Sequence, residues 1–407
     1  MNAYPNLRHI RLLKHVIALN SLSKAADAVG ISQPAASQAI AGLEEHFGGQ
    51  LFERRSGGVY VTERGRIAAA RAVRVADLLG EAIADLGRNS RTPRGSGPEL
   101  LETHATIAHL RALSAFARTG SFAAAARQLE QAEPSVQRAA REIERIAGVP
   151  LFEGRPRTIQ LTPAGMALAG SASLALKELE SAAEEVAELD GRFDGHVAIG
   201  TLPMVRTRII PDTLASWCAR RPHASVEMID GPYDLLIHSL ALGEIDILVG
   251  ALRESPAPRG FVQEKLFDDG LAIVARAGHP LTGRSSLEPR DLAPYPWVLP
   301  RKGTPTRSIF DSFAARAELT NSQGLVETSS LVTIRGLLLQ TDRLTVVSPR
   351  QIEFECAAGL LAVLPIELPG TARPIGVTTR QGWMPTALQA EFLEELRRAA
   401  APGVSAA

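Results

Sequence analysis

The stretch Ser23–Arg55, SKAADAVGISQPAASQAIAGLEEHFGGQLFERR, has a counterpart in Ala123–Arg155, AAAARQLEQAEPSVQRAAREIERIAGVPLFEGR. At an offset of one hundred positions His9 falls on His109, Arg11 on Arg111, Leu13 on Leu113, Ser21 on Ser121 and Ala25-Ala26 on Ala125-Ala126. Pro34 then meets Pro134, Gly48 meets Gly148, Leu51-Phe52-Glu53 meet Leu151-Phe152-Glu153, and Arg55, Thr62 and Gly65 meet Arg155, Thr162 and Gly165. A match this long and free of gaps is a duplicated structural unit.

In the first copy Ile10, Leu13, Val16 and Ile17 share one helical face. A short helix with Ala25-Ala26 follows, small enough for another helix to approach closely, and Gly30 ends it. Ser32 is placed to cap the next helix, with Pro34 in its first turn, where a missing N–H costs nothing. Ala36, Ile40, Leu43 and Phe47 then face inward, leaving Ser32, Gln33, Ser37 and Gln38 outside. Two helices joined by a tight turn, the second presenting small polar residues, make a helix-turn-helix. Such a helix fits the major groove of double-stranded DNA, where Gln reads adenine edges. In FERRSGGVYVT, Arg54-Arg55, the Gly57-Gly58 turn and alternating Val59 and Val61 predict a hairpin wing whose arginines meet phosphate.

Ala25-Ala26, Ser32-Gln33-Pro34, Ser37, Leu43-Glu44, Gly48, Leu51-Phe52, Arg54 or Arg55, Thr62 and Gly65 together resemble the N-terminal winged helix-turn-helix of LysR-type transcriptional regulators. The resemblance implies DNA contacts by Ser32, Gln33, Pro34, Ser37, Gln38, Arg54 and Arg55. The second copy keeps the framework, with Val136, Ala140, Ile143 and Ala147 inward, and changes the surface. Ser135, Gln137, Arg138 and Arg141 point outward, and Arg155 and Arg157 lie in its wing. Ala132-Glu133 replaces the usual Ser-Gln, and a carboxylate near phosphates weakens binding. The alternative for this copy is a dimerisation or spacer module that has kept the fold and lost the reading.

Each copy runs into a helical stretch, RIAAARAVRVADLLGEAIADLG and MALAGSASLALKELESAAEEVAEL. The resemblance implies a linker helix that pairs antiparallel with a partner subunit's, in a homodimer or homotetramer. RNSRTPRGSGPE between the copies reads as a flexible linker that lets the two heads move relative to each other.

From His196 strands and helices alternate: HVAIGTL, TRIIPDTLASWCARR, ASVEMIDG, DLLIHSLALGE, IDILVGAL. A second unit follows through FDDGLAIVARAGHPL, PWVLPRKG, RSIFDSFAARAEL, GLVETSS, LVTIRGLLLQ and RLTVVSP, and the chain returns by RPIGVTTR to a last helix. This order predicts parallel sheets with helices on their faces. It resembles the effector-binding domain of the same family, two α/β lobes with the fold of periplasmic solute-binding proteins. Ligands of such sheets sit beyond the carboxyl ends of strands, near helix N-termini that favour anions. That points to Thr201, Leu202, Pro203 and Met204; to Gly231 and Tyr233; to Thr304, Thr306 and Arg307; and to Ser329 and Ser330. The expected ligand is a small-molecule inducer, carboxylated or sugar-like. TLPMVRTRIIP with DGPYDLL looks like a subgroup regulating sugar uptake and aromatic-acid catabolism.

The fold class expected is therefore multidomain: two tandem all-α winged helix-turn-helix domains before a bilobal α/β, periplasmic-binding-protein-like effector domain. The domain plan places a first head at 1–65, a helix at 66–90, a linker at 91–100, a second head at 101–165, a dimerisation helix at 166–192 and the effector domain at 193–407. Lobe 1 takes about 196–266 and 366–400, and lobe 2 about 267–365.

The 407 residues carry 44 basic and 44 acidic side chains, so no global field marks a polyanionic partner and any DNA site must be a local patch. Two cysteines, Cys218 and Cys356, supply no disulfide framework and read as packed thiols. The histidines are scattered without ligand spacing, so neither metal nor cofactor is expected. No apolar run suggests a signal peptide or membrane span, and the expected setting is the cytoplasm, with RNA polymerase as a further partner if the protein activates. Two other readings are an enzyme or ligand carrier built on the solute-binding-like half, and an architectural DNA-binding protein without effector. Against the enzyme stands the lack of a nucleophile elbow, phosphate loop or paired-carboxylate constellation.

Overall fold

The computed structural model describes residues 4–55, 58–89, 98–155, 158–192, 195–253, 257–319 and 324–401. The first head comprises α1 (Leu7–Leu19), α2 (Leu22–Ala28), α3 (Gln33–His46) and the antiparallel hairpin of β1 (Phe52–Arg55) and β2 (Gly58–Val61), which leads into α4 (Glu63–Asn89). After α5 (Pro98–His104) the pattern recurs: α6 (Ile107–Thr119), α7 (Phe122–Leu129), α8 (Glu133–Ala147), the hairpin of β3 (Phe152–Glu153) and β4 (Gln160–Leu161), and α9 (Pro163–Leu189). The local reasons are those legible in the chain. Ser32 Oγ accepts the Ala35 N–H to start α3, and Ala36, Ile40, Leu43 and Phe47 are buried beneath it. Val136, Ala140, Ile143 and Ala147 do the same under α8, where Phe116, Phe122 and Phe152 add a ring cluster with centroids 4.6–5.6 Å apart.

Gly65 and Gly165 stand where each long helix passes under its hairpin. A Cβ on either would lie 2.1 Å from a backbone oxygen, that of Leu51 or Leu151. Neither oxygen can withdraw, because each accepts an N–H, from Thr62 and Thr162, at 3.0 Å. Gly65→Ala and Gly165→Ala should therefore each destabilise the protein by about 1–3 kcal/mol, the usual range for overpacking. Thermal unfolding of both variants beside Gly80→Ala, whose Cβ meets nothing, checks this; equal midpoints for all three would refute it.

The 27-residue helices α4 and α9 pair with each other. Arg64 meets Asp190, Arg71 meets Glu185 at 2.9 Å and Glu178 at 2.6 Å, so rising numbers on one helix face falling numbers on the other and the pair is antiparallel. Ala68, Ala72 and Val75 from α4 and Ala169, Ala172, Leu176 and Leu179 from α9 join one apolar core with Leu13 and Leu43 of the first head and Leu113 and Ile143 of the second. Within the chain the long helices pair with each other and both heads join that one core, which corrects the expectation of heads that move freely; residues 90–97 lie outside the described residues.

The C-terminal half forms two sheets of like topology. Lobe 1 runs β6-β5-β7-β14-β8, from β5 (His196–Thr201), β6 (Ser225–Asp230), β7 (Ile247–Ala251), β8 (Phe261–Asp269) and β14 (Arg373–Arg380). Lobe 2 runs β11-β10-β12-β9-β13, from β9 (Ala272–Arg276), β10 (Trp297–Leu299), β11 (Val326–Glu327), β12 (Leu344–Val347) and β13 (Leu361–Val363). In each, three strands are parallel and the fourth is antiparallel to them. Helices α10 (Ile209–Arg220), α11 (Tyr233–Ala241) and α15 (Ala387–Ala400) cover lobe 1, while α12 (Pro305–Arg316), α13 (Leu331–Gln340) and α14 (Glu353–Ala357) belong to lobe 2. The chain crosses between lobes at 269–272 and 363–373, a few residues beyond the expected 266 and short of a clean return at 366.

Lobe 1 is seated on the helix pair. Ser173 Oγ donates to the Leu242 carbonyl, Lys177 lies 3.7 Å from buried Asp246, and Arg71 Nη1 donates to the Met384 carbonyl at 2.8 Å. Cys218, expected to be packed, is exposed on α10, and Cys356 is half-buried. No helix among the described residues is long and apolar enough to cross a membrane.

Candidate functional site

The outer face of α3 in the first head is open. Ser32, Gln33, Pro34, Ser37 and Gln38 are all exposed on α3, and Arg54 and Arg55 end β1. Ser32 also caps its helix, so its oxygen is engaged while its proton remains available. The tip of this wing, 56–57, lies outside the described residues, as does Arg157.

On α8, Ser135, Gln137 and Arg138 are exposed, and Arg155 is exposed beyond β3. Ala132 gives α8 no side-chain cap, and Glu133 in the first turn supplies the charge that helix N-termini favour. Arg141, 41% exposed, also has a structural task. Its guanidinium bonds Glu144 at 2.7 Å and lies over the Phe152 ring at 4.9 Å. Glu144 in turn accepts the Leu151 and Phe152 N–H groups, and these partners with Arg141 hold its carboxyl below the usual range against burial that would raise it. Arg141 therefore braces the wing junction, and Arg138 is an exposed cation on the outer face of α8.

In the effector half, the loop after β5 faces lobe 2. Pro203 offers its carbonyl to Gln351 Nε2 at 3.4 Å, Thr207 donates to the Arg350 carbonyl, and Arg208 pairs with Glu353. Thr304 caps α12 by accepting the Arg307 N–H, and Thr306 stands in its first turn. Between the lobes lies Arg373, the first residue of β14, with Nη2 2.9 Å from Met204 Sδ and 3.2 Å from Thr306 Oγ1. Its Nε is buried without a hydrogen-bond partner. Burial pushes its pKa down, and Asp269, itself tied to Ser348 Oγ at 2.9 Å, opposes that. An incompletely satisfied guanidinium at a lobe junction is a ready receptor for an anion.

Other expected ligand residues have different tasks. Arg307 is neutralised: Asp311 at 2.7 Å, Glu327 and the Pro300 carbonyl at 3.1 Å surround a side chain only 6% exposed. With two carboxylates on one guanidinium, nothing remains to attract an effector. Thr201 is fully buried, its hydroxyl and carbonyl both bonded by Arg206, whose Nη1 reaches Asp230 at 3.3 Å. Leu202 and Tyr233 pack against the buried cluster of Leu236, Leu240, Ile245 and Leu248, and Arg253 lies 3.8 Å over the Tyr233 ring. Gly231 is half-buried before α11, where a Cβ would meet Leu235 at 3.3 Å. Ser330 caps α13 by accepting the Thr333 N–H, beside exposed Ser329. The structure thus brings Pro203, Met204, Thr304 and Thr306 toward one junction, and adds Arg373, which sequence reasoning placed only on a return strand. Its signal was positional, a cation at the crossover where β14 begins.

Among the described residues no cluster of His, Cys, Asp and Glu could hold a metal. The family model "LysR substrate binding domain" matches residues 190–401, and "Bacterial regulatory helix-turn-helix protein, lysR family" matches twice, at 7–66 and 107–166. The HTH-type transcriptional regulator GalR of Pseudomonas putida is 34% identical over 378 residues, 93% of each chain, a span too long to omit either head. The HTH-type transcriptional regulator PcaQ of Agrobacterium fabrum is 28% identical over 72% of this chain and 94% of its own. Among solved structures, a full-length OxyR variant from Pseudomonas aeruginosa superposes with a TM-score of 0.54 at 21% identity, covering 73% of this chain and 95% of its own, a likeness of fold. Matched by family models at both heads and across its C-terminal half, the chain belongs to the LysR family of HTH-type transcriptional regulators.

Proposed function

We propose that this regulator reads DNA in the cytoplasm through α3 and α8, its two winged heads, and is switched by a small carboxylated effector. The effector site is the cleft of a bilobal domain built like a solute-binding protein, held by Arg373 with Thr306 and Met204. The observation that carries the effector class is Arg373, whose buried Nε lacks a partner while the neighbouring Arg307 is fully paired. A carboxylate adds charge-assisted acceptors to such a guanidinium beyond the attraction of Asp269, whereas a neutral sugar adds only uncharged ones. The effector shifts the lobes only by its difference in affinity for their two arrangements. Because lobe 1 sits on α4 and α9, a lobe movement acts directly on the pair that carries both heads. Contact with RNA polymerase belongs to this reading if the protein activates.

A DNase footprint on DNA flanking the gene tests the DNA half of the proposal. Wild type should protect a segment, and Ser37→Glu should reduce affinity about tenfold or more, because a carboxylate on the reading face meets phosphates and base acceptors. Ser37 is exposed, so the variant should fold. Unchanged protection by Ser37→Glu would remove α3 from the interface.

A further inference from the structure

The two heads are close copies in fold and unlike in surface, and one chain holds both. We propose that a single copy of this protein is a complete two-headed reading unit. Its partner is duplex DNA carrying two half-sites of different sequence in inverted orientation. The inference rests on the DNA-binding reading above and goes beyond it in assigning both stoichiometry and the form of the site.

Orientation follows from the helix pair. Each long helix begins directly after its own hairpin, at Glu63 and at Pro163. Antiparallel pairing brings Arg64, at the start of α4, against Asp190, just past the end of α9. The two hairpins therefore mark opposite ends of a pair roughly 40 Å long, at 1.5 Å per residue, while Tyr4 and Arg11 of the first head meet the second head between them, at Arg111 and the Ala105 carbonyl. They are related by an approximate two-fold axis near the middle, where Arg71 and Arg74 meet Glu178. Two recognition helices so related match the local symmetry of the DNA backbone, with half-sites about one helical turn apart.

The pairing is specific. Within the pair, α4 contributes Arg64, Arg71 and Arg74, and α9 with its C-cap contributes Glu178, Glu185 and Asp190. At the offset of one hundred, two copies of α9 so packed would set Glu178 and Glu185 opposite Ser171 and Leu174 with no guanidinium, and two copies of α4 would set Leu78 where Glu178 stands and leave Asp85 as the acid for Arg71. The heads are also locked outside the helices. Tyr4 donates to Glu180 of α9 and carries Arg111 of the second head over its ring, and Arg11 Nη2 reaches the Ala105 carbonyl.

Inequality of the half-sites follows from the exposed side chains. The first head presents Gln33, Ser37 and Gln38, groups that suit adenine edges and mixed polar contacts. The second presents Glu133, Ser135, Gln137 and Arg138, whose guanidinium suits the O6 and N7 of guanine. A backbone of near two-fold shape with two different reading faces selects a site whose outline is inverted and whose bases are not.

The full-length protein is used to enrich binders from a pool of duplexes with a randomised centre, and the winning duplex is titrated and weighed by sedimentation. The expected winner has two unlike motifs in inverted orientation, with one chain bound per pair of motifs. Ser37→Glu should lose hydroxyl-radical protection of one motif and Arg138→Glu of the other. Reversing one motif within the duplex should weaken wild-type binding roughly tenfold or more. A perfect palindrome whose two halves both vanish with Ser37→Glu would overturn the proposal. So would two chains on a single pair of motifs, the result if α4 paired with α9 of a second chain. If the wild type enriches no duplex, the DNA-binding reading fails and this inference with it, whereas any of the former results overturns the inference alone.

Discussion

Arg71→Leu should cost the N-terminal half about 3–5 kcal/mol of stability, the range for removing one partner of a buried ion pair. Arg71 is 1% exposed, and the acids it holds, Glu178 and Glu185, are 10% and 20% exposed. Burial alone would push its pKa down, but the hydrogen bonds it donates to Glu185 and Glu178 outweigh that and keep it above its ordinary value. Without the guanidinium two carboxylates stay in the joint and the Met384 carbonyl loses its donor. Replacing Arg71 and Glu178 together by apolar residues should recover part of the loss, since a well-packed apolar joint is often neutral beside a buried ion pair. Urea unfolding followed by circular dichroism measures this, with Arg66→Leu as control. Arg66 is 66% exposed and, among the described residues, pairs with Glu63 on its own helix, so its removal should cost under about 1 kcal/mol. Equal losses from Arg66→Leu and Arg71→Leu would show that the joint does not hold the heads together. Because Arg71 also ties α4 to lobe 1, its loss should loosen the effector half from the helix pair as well.

Arg373→Met should abolish the response to effector while leaving the footprint of the unliganded protein in place. Truncating one member of a desolvated charge pair usually costs about 2–5 kcal/mol of binding, and each 1.4 kcal/mol is tenfold in affinity. Affinity for a responsive carboxylate should therefore fall by roughly thirtyfold or more. A panel of small aliphatic and aromatic carboxylic acids, with sugars as neutral controls, is screened first by shift in thermal midpoint and then by calorimetry. Arg307→Met serves as a contrast. It breaks a paired guanidinium, so it should lower stability more than it lowers effector affinity. If Arg373→Met binds the acids like wild type, or only sugars shift the wild-type midpoint, the carboxylate site is elsewhere or the effector is neutral.

Much of this was legible along the chain because it depends on near neighbours. Periodicity placed α1, α3 and α8 and their buried faces, Ser32 and Pro34 placed the start of α3, and strand–helix alternation placed both lobes. The pairing of Arg307 with Asp311, four residues on, was visible in principle. Its second acid, Glu327, comes from another strand, and with it the charge of Arg307 is already matched inside lobe 2. Arg141 shows the same limit. Its outward position on α8 is local, but the Phe152 ring beneath it belongs to the hairpin.

The sequence by itself determined the family, the duplication and the chemistry of the two reading faces, since these reside in residue identities at fixed short spacings. Only the tertiary structure decided that α4 takes α9 of its own chain as partner and that the heads share one core. It also decided that Arg373 stands between the lobes with its Nε unpartnered. Charge at a site is what remains after distant neighbours have paired. A helix with an apolar stripe specifies that it will pack, and the partner is chosen by which complementary stripe the folded chain brings within reach.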